Sequence, residues 1–320
     1  SYQCLYLKAH YPLQFLVATI NNYGGFYRTE LYILEAKYLG AEINAPCINH
    51  SCFETVLKEE KIYLGFHLIK SFEGRTAKLI NDERNLNGCF ESFDDFIERV
   101  PISQEHLNLL IRMNAFRNTG KSKRALLWEA KLKVSKQNPE DFKANLFRVR
   151  PKNYELPKLE NSWQEDFFDQ LELLDFPLYT PFDIVTEDIK APIVLAKDLI
   201  HCHNQKVVIK GYLIHVKRTA TSNGKQMFFG TFLDENGDWL DSVHFPPIAI
   251  KYPFQGRGVY LIYGKVLVEY DCVNVETIKM KKMDVMEDPR YSVNIDRTAE
   301  TVTWNNRKTY QKDWVGEKNK

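Results

Sequence analysis

Long apolar runs are missing from this 320-residue sequence. None approaches the ~20 apolar residues that a membrane-spanning helix needs, and the start does not read as a secretory signal. Paired cysteines are missing as well. Cys4, Cys47, Cys52, Cys89, Cys202 and Cys272 are scattered without a CxxC pair, which excludes zinc-finger spacing and points to reduced thiols in a cytoplasmic setting. The nearest approach to a metal set is His201-Cys202-His203, alternate positions that are more often plain surface than ligands; no metal and no cofactor is expected. Charge of one sign is not in excess either: 43 basic residues against 42 acidic give +1, so partners must be read from local clusters. No strand-borne D-x-D pair occurs. The acidic pairs Asp94-Asp95, Glu165-Asp166 and Glu187-Asp188 sit in helical or linker stretches and read as solvated acids. Methionine is absent from position 1, where Ser1 leads straight into a patterned stretch, so the sequence reads as a piece of a longer polypeptide.

Apolar content is ample, at 44% hydrophobic and 13% aromatic, enough for about two domains with a core each. SYQCLYLKAHYPLQFLVATINN has helical spacing broken by Pro12, and RTELYILEAKYLG resumes it up to Gly40, a C-terminal capping residue. CFETVL and IYLGFHLI read as two strands about a Glu/Lys turn. Short helices follow between Lys70 and Glu129, with Ser92 and Ser103 in capping positions. From Arg112 to Lys136 eight basic residues face only Glu129 as a full counter-charge. That run is either a phosphate-contacting surface or a merely soluble helix face. Pro139, Pro151 and Pro157 make the next stretch a linker, and WQEDFFDQLELLDFPLY within it is acidic and amphipathic.

From Ala191 to Met283 the pattern is β: VVIKGYLIHVKRTA, QMFFGTFLD, WLDSVHF and two further strands in GVYLIYGKVLVEYDCVNVETIKMKKM, turning at Tyr270 and Asp271. Five strands in about 90 residues, with glycines at 211 and 264 where strands must bend, fit a small OB-type barrel; an SH3-like barrel is the alternative. The segment GKQMFFGTFLDENG carries large apolar residues on both faces, with Lys217, Arg218 and Lys225 before it. This suits a stacking platform for single-stranded nucleic acid in which Phe228 and Phe232 face out. The alternative places all three phenylalanines in the core, and Gly230 is expected to mark a bulge.

These residues resemble the bacterial C-family DNA polymerases, the alpha subunit of DNA polymerase III and its shorter error-prone relatives, from Ser1 to about Met283. YQCLYLKAHYPLQF is similar to the end of the fingers domain. GFYRTELYILEAKYLGAEINAPCINHS resembles the segment that follows. YLGFHLIKSFEGRTAKLI and LLIRMNAFRNTGKSKRALL resemble tandem helix-hairpin-helix regions. The resemblance implies an α+β multidomain chain: fingers end and connector over 1–61, tandem hairpins over 62–136, a linker over 137–190, a five-stranded OB domain over 191–285 and a polar tail over 286–320. It further implies duplex contact through hairpin backbone N–H groups. In the first hairpin, Lys70 and Arg75 flank Ser71 and Glu73, which stand where glycines are usual. Duplex contact is therefore expected more at Gly120, Lys121, Ser122, Lys123 and Arg124. KANLF, with Lys143, Leu146 and Phe147, resembles a sliding-clamp motif with lysine in place of glutamine. The polymerisation carboxylates and their two divalent (Mg) ions would lie in a palm outside this sequence, leaving no catalytic residue here.

Two readings compete. One is the DNA-binding part of a template-directed polymerase, used in replication or translesion synthesis. The other is a stand-alone OB-fold nucleic-acid-binding or interaction protein.

Overall fold

The computed structural model describes residues 2–134, 162–270 and 272–291. The chain divides into two compact units, Ser1–Leu178 and Tyr179–Lys320. The first unit begins with α1 (Tyr2–His10) and α2 (Pro12–Asn21), separated at Tyr11 because the Pro12 ring suits a first helical turn but cannot continue a preceding helix. Helix α3 (Thr29–Tyr38) leads into β1 (Glu42–Asn44). A hairpin follows, of β2 (Val56–Lys58) and β3 (Lys61–Tyr63), whose turn residues Glu59 and Glu60 both take positive φ, as a tight two-residue hairpin requires. The small sheet has the order β1-β3-β2. Both expected strands are shorter than their apolar pattern. The Gly65 N–H is taken by Thr55 Oγ1 at 3.0 Å and Phe66–Leu68 closes into a 3-10 turn.

Four helices complete the helical layer: α4 (Gly74–Asn87), α5 (Phe93–Arg99), α6 (Gln104–Arg112) and α7 (Lys123–Val134). The expected serine caps are present, Ser92 Oγ accepting from Asp95 N at 3.1 Å and Ser103 Oγ from His106 N at 3.2 Å. Phe90, Phe93, Phe96 and Phe116 form the aromatic centre, with edge-on centroid separations of 4.9 to 5.1 Å, the arrangement that ring quadrupoles favour.

The acidic segment of the expected linker is helix α8 (Trp163–Leu174), and it belongs to this unit, with Leu173, Leu174 and Phe176 in the shared core. Its carboxylates recur on one face and meet the basic run. Arg112 binds Asp169 at 2.8 Å and Glu172 at 2.6 Å; Lys123 binds Asp166 and Asp169, each at 2.6 Å; Arg124 pairs with Glu165. Lys133 pairs with Asp94. The run that has one counter-charge in sequence thus has several in space.

The second unit is a closed barrel of β4 (Lys206–Ala220), β5 (Gln226–Leu233), β6 (Trp239–His244), β7 (Val259–Glu269) and β8 (Cys272–Lys282), in the order β4-β5-β6-β8-β7. All pairs are antiparallel except β6 with β8, and β7 closes back on β4; this is OB topology. The short helix α9 (Pro246–Lys251) lies between β6 and β7 in sequence. Gly211 and Gly264 are glycines for lack of space. A Cβ on Gly264 would meet Val275 Cγ1 at 2.4 Å, and one on Gly211 would meet Phe232 Cβ at 2.9 Å. The register of β4 shifts between Leu213 and His215, not at Gly230, which pairs regularly with Val216 and Ser242. Crowding is what keeps residue 230 small: a Cβ would lie 2.8 Å from the Phe232 ring and 2.9 Å from Phe254.

A polar trio lies inside the barrel wall. Ser242 Oγ donates to the Gly230 carbonyl at 3.2 Å, so it accepts from His244 Nε2 at 2.8 Å. That tautomer leaves His244 Nδ1 as a buried lone pair without a partner, and burial pushes the imidazole down to about 4.

Two outcomes are expected. Lys123→Ala removes the buried ammonium that Asp166 and Asp169 share, leaving Asp169 with Arg112 alone, and urea unfolding is expected to show the first unit destabilised by about 3 kcal/mol, the lower end of the effect of breaking a buried pair. In the second unit, unfolded His244 takes up a proton near pH 6.5 while the folded one stays neutral to about 4. Stability is therefore full above about pH 6.5 and is lost as pH falls toward 4, by about 3 kcal/mol. His244→Gln should flatten this dependence in unfolding curves at pH 7 and pH 5.

Candidate nucleic-acid interface

On the barrel, β4 and β5 continue as a two-stranded arm. Its tip, Thr221 to Lys225, is closed by Thr221 N to Lys225 O at 2.9 Å and by Gly224 at φ +72°, a conformation that glycine adopts without strain. Between this arm and the segment from Pro246 to Gly256 runs an open groove of about 1270 Å³. Arg218, Lys225, Gln226 and Phe228 line one side, and Ile250 and Phe254 the other; no acidic residue lines it. The Arg218 guanidinium lies 5.9 Å from the Phe228 ring, and Phe228 meets Phe254 edge-on at 6.1 Å. A half-buried ring beside an exposed, planar cation can stack a base while binding its phosphate.

Register decides which expected residues share this site. Arg218 is opposite Phe228, whereas Lys217 is opposite Phe229, and successive strand residues point to opposite faces. Arg218, Phe228 and Lys225 line the groove; Lys217 is exposed on the other face, beside the 38% exposed Phe229. Phe232 does not face out. It is 0% exposed, packed against Phe254 and Tyr260 in the barrel core. The reading of two outward phenylalanines is corrected: Phe228, Gly230 and Phe232 share one face, which is core at the closed end of β5 and groove at its open end. The second wall, with Phe254 and Ile250, carries no periodic signal; three prolines, Pro246, Pro247 and Pro253, are its mark in the sequence.

In the helical unit, the first hairpin runs from Ile69 to Gly74. Ser71 takes φ +60°, the left-handed conformation that explains why glycine suits this position. Lys70 is anchored, its N–H donating to the Leu173 carbonyl at 2.9 Å and its ammonium pairing with Asp175. Arg75 lies exposed in the first turn of α4 with no ion pair among the described residues. Nearby Lys78 borders a cavity of about 390 Å³ with Phe53, Gly74, Ala77 and Asn81.

The Thr119–Arg124 turn differs from expectation. Gly120 supplies a left-handed φ of +68° and Ser122 Oγ accepts from Ala125 N at 3.2 Å, capping α7. Its three cations are all engaged: Lys121 with Glu129 at 2.8 Å, Arg124 with Glu165, and Lys123, 3% exposed, between Asp166 and Asp169. Lys123 is thereby removed as a phosphate contact, because reaching one would take away the ammonium that Asp166 and Asp169 share and leave Asp169 with Arg112 alone. Lys143, Leu146 and Phe147 lie outside the described residues. His203, part of the weak metal pattern, uses Nδ1 to accept from Val268 N at 3.1 Å.

Residues 40–126 match the family model of the helix-hairpin-helix motif. DNA polymerase III subunit alpha of Staphylococcus epidermidis is 29% identical over 278 residues, 83% of this chain and 25% of that protein. The subunit of the same name from Borreliella burgdorferi is 29% identical over 323 residues, 94% of this chain and 27% of that protein. The chain thus spans about a quarter of the length of these relatives. Among solved structures, the second OB-fold domain of replication protein A from Methanococcus maripaludis covers 25% of the chain at 12% identity and a TM-score of 0.20, a likeness too slight to add to the barrel topology. Over its helical unit and barrel together, the chain is similar in sequence to DNA polymerase III alpha subunits, and the similarity takes in both the helix-hairpin-helix and the OB region.

Proposed function

We propose that this chain is the DNA-gripping part of a template-directed DNA polymerase. The observation that carries the proposal is joint coverage: relatives with one name, DNA polymerase III subunit alpha, match the helical unit and the barrel in a single alignment. A stand-alone OB module would not call for the helical half. In this reading the barrel groove holds single-stranded template, with Phe228 stacking on a base and Arg218 and Lys225 meeting phosphates. Its lack of carboxylates supports that use. Duplex contact is assigned to the first hairpin, where exposed Arg75 lies in the first turn of α4, whose N-terminus has no side-chain cap and whose first backbone N–H groups suit a phosphate. Lys121 and Arg124, already paired with glutamates, contribute by exchanging partners.

Polymerisation itself needs carboxylates that hold two divalent ions. The acidic pairs of this chain do not fit that role: Asp94, Asp95, Glu165 and Asp166 are committed to lysine and arginine partners, and Glu187 is held down to about 2 by Lys281. The metal chemistry is assigned to a palm that this chain does not supply. A cytoplasmic setting, translesion use and a clamp contact through Lys143, Leu146 and Phe147 complete the proposal.

Binding to a labelled single strand and to a primer-template, followed by anisotropy, tests it. Affinity should fall linearly on a log–log salt plot, and Arg218→Ala with Phe228→Ala should weaken single-strand binding about tenfold or more, since one base stack is worth roughly 1–3 kcal/mol. No measurable binding of either DNA at low salt would overturn the reading. For the clamp contact, capture by a sliding clamp should be lost on Leu146→Ala with Phe147→Ala; unchanged capture removes that part alone.

A further inference from the structure

The outer face of β4, β7 and β8 carries charge that neither the core nor the groove uses. On these strands Val207, Ile262, Gly264 and Val266 point inward, so Lys206, Tyr263 and Lys265 point outward. Register sets Lys206 directly opposite Lys265, and sets Tyr263 between Val208 on one side and Lys279 on the other. Like charges directly opposite on antiparallel strands oppose folding. Barrel closure does not require them, because the residues that close it are the inward ones. Further along the same face, Lys210 and Lys281 are matched by Glu235 and Glu187. Lys206, Lys265 and Lys279 have no ion pair among the described residues. Glu276, opposite Lys265, is the one carboxylate in these two cross-strand rows, so three ammonium groups stand against one acid around a half-buried tyrosine.

We propose that this face is a second DNA-backbone surface, separate from the groove, in which Lys206, Lys265 and Lys279 contact successive phosphates and Tyr263 lies against the sugar or base between them. It rests on the DNA-binding reading above. Charge complementarity selects the occupant: a polyanion of regular spacing offsets the Lys206–Lys265 repulsion, which an apolar partner surface would aggravate by desolvating both ammonium groups.

The test uses the full chain and a labelled thymidine oligonucleotide of about 30 nucleotides. Lys206→Ala, Lys265→Ala and Lys279→Ala together should lower affinity about tenfold or more at low salt. They should also reduce the log–log salt slope by about 2, at roughly 0.7 per phosphate contact on single strands. Arg218→Ala with Phe228→Ala should change the slope by no more than about 1, since it removes one cation. The melting temperature of the triple variant should hold or rise, because a like-charge pair has gone; a glutamine triple variant, retaining much of each aliphatic stem, must reproduce the loss. If the unsubstituted chain binds and the groove variant weakens it while both triple variants bind with the original affinity and slope, this inference is overturned and the groove reading stands. If the unsubstituted chain binds no DNA, both fall.

Discussion

An ammonium group buried between two carboxylates organises the helical unit. Lys123 begins α7, Asp166 and Asp169 sit one turn apart on α8, and all three side chains are largely withdrawn from water. Isolated, each charge would be costly to bury; together they fix α8 against α6 and α7 in one register. Arg112 and Arg124 extend the match along the same helix face. The apolar side of α8 then delivers Leu173 and Leu174 to the core, and the Leu173 carbonyl accepts the N–H of Lys70. The first hairpin is therefore held in part by a helix about a hundred residues further along the chain.

This arrangement sets where positive charge is exposed. Cations gathered in sequence between Arg112 and Lys136 are mostly engaged by carboxylate or carbonyl partners among the described residues, whereas Arg75 and Lys78 in the first half of α4 are exposed. In the barrel the same logic runs the other way. Few acids oppose Arg218, Lys225, Lys206, Lys265 or Lys279, so these charges stay available at the surface. What the two units share is that the location of basic residues says little until their carboxylate partners are known.

Much of the fold was legible because local rules sufficed. Five barrel strands were visible from alternation and turn chemistry, and Gly211 and Gly264 from their place inside strands. Ser92 and Ser103 were recognisable as caps from residue type and position alone. Phe232 was misread because alternation gives a face and not a neighbour: the same face of β5 is packed core at Phe232 and open groove at Phe228, and only barrel closure separates the two. Gly230 was misread as a bulge because an interior glycine serves either backbone distortion or lack of room, and the crowding by Phe254 comes from a distant loop.

The sequence by itself determined a helical part followed by a five-stranded β part and the resemblance to the polymerase family, since the elements depend on periodicity, caps and turns within a few residues of one another. The tertiary structure alone decided which charges remain free and which aromatic ring meets solvent. Ion pairs such as Lys123 with Asp169 and ring contacts such as Phe228 with Phe254 join residues far apart in the chain, and electrostatic and packing energies depend on that spatial separation.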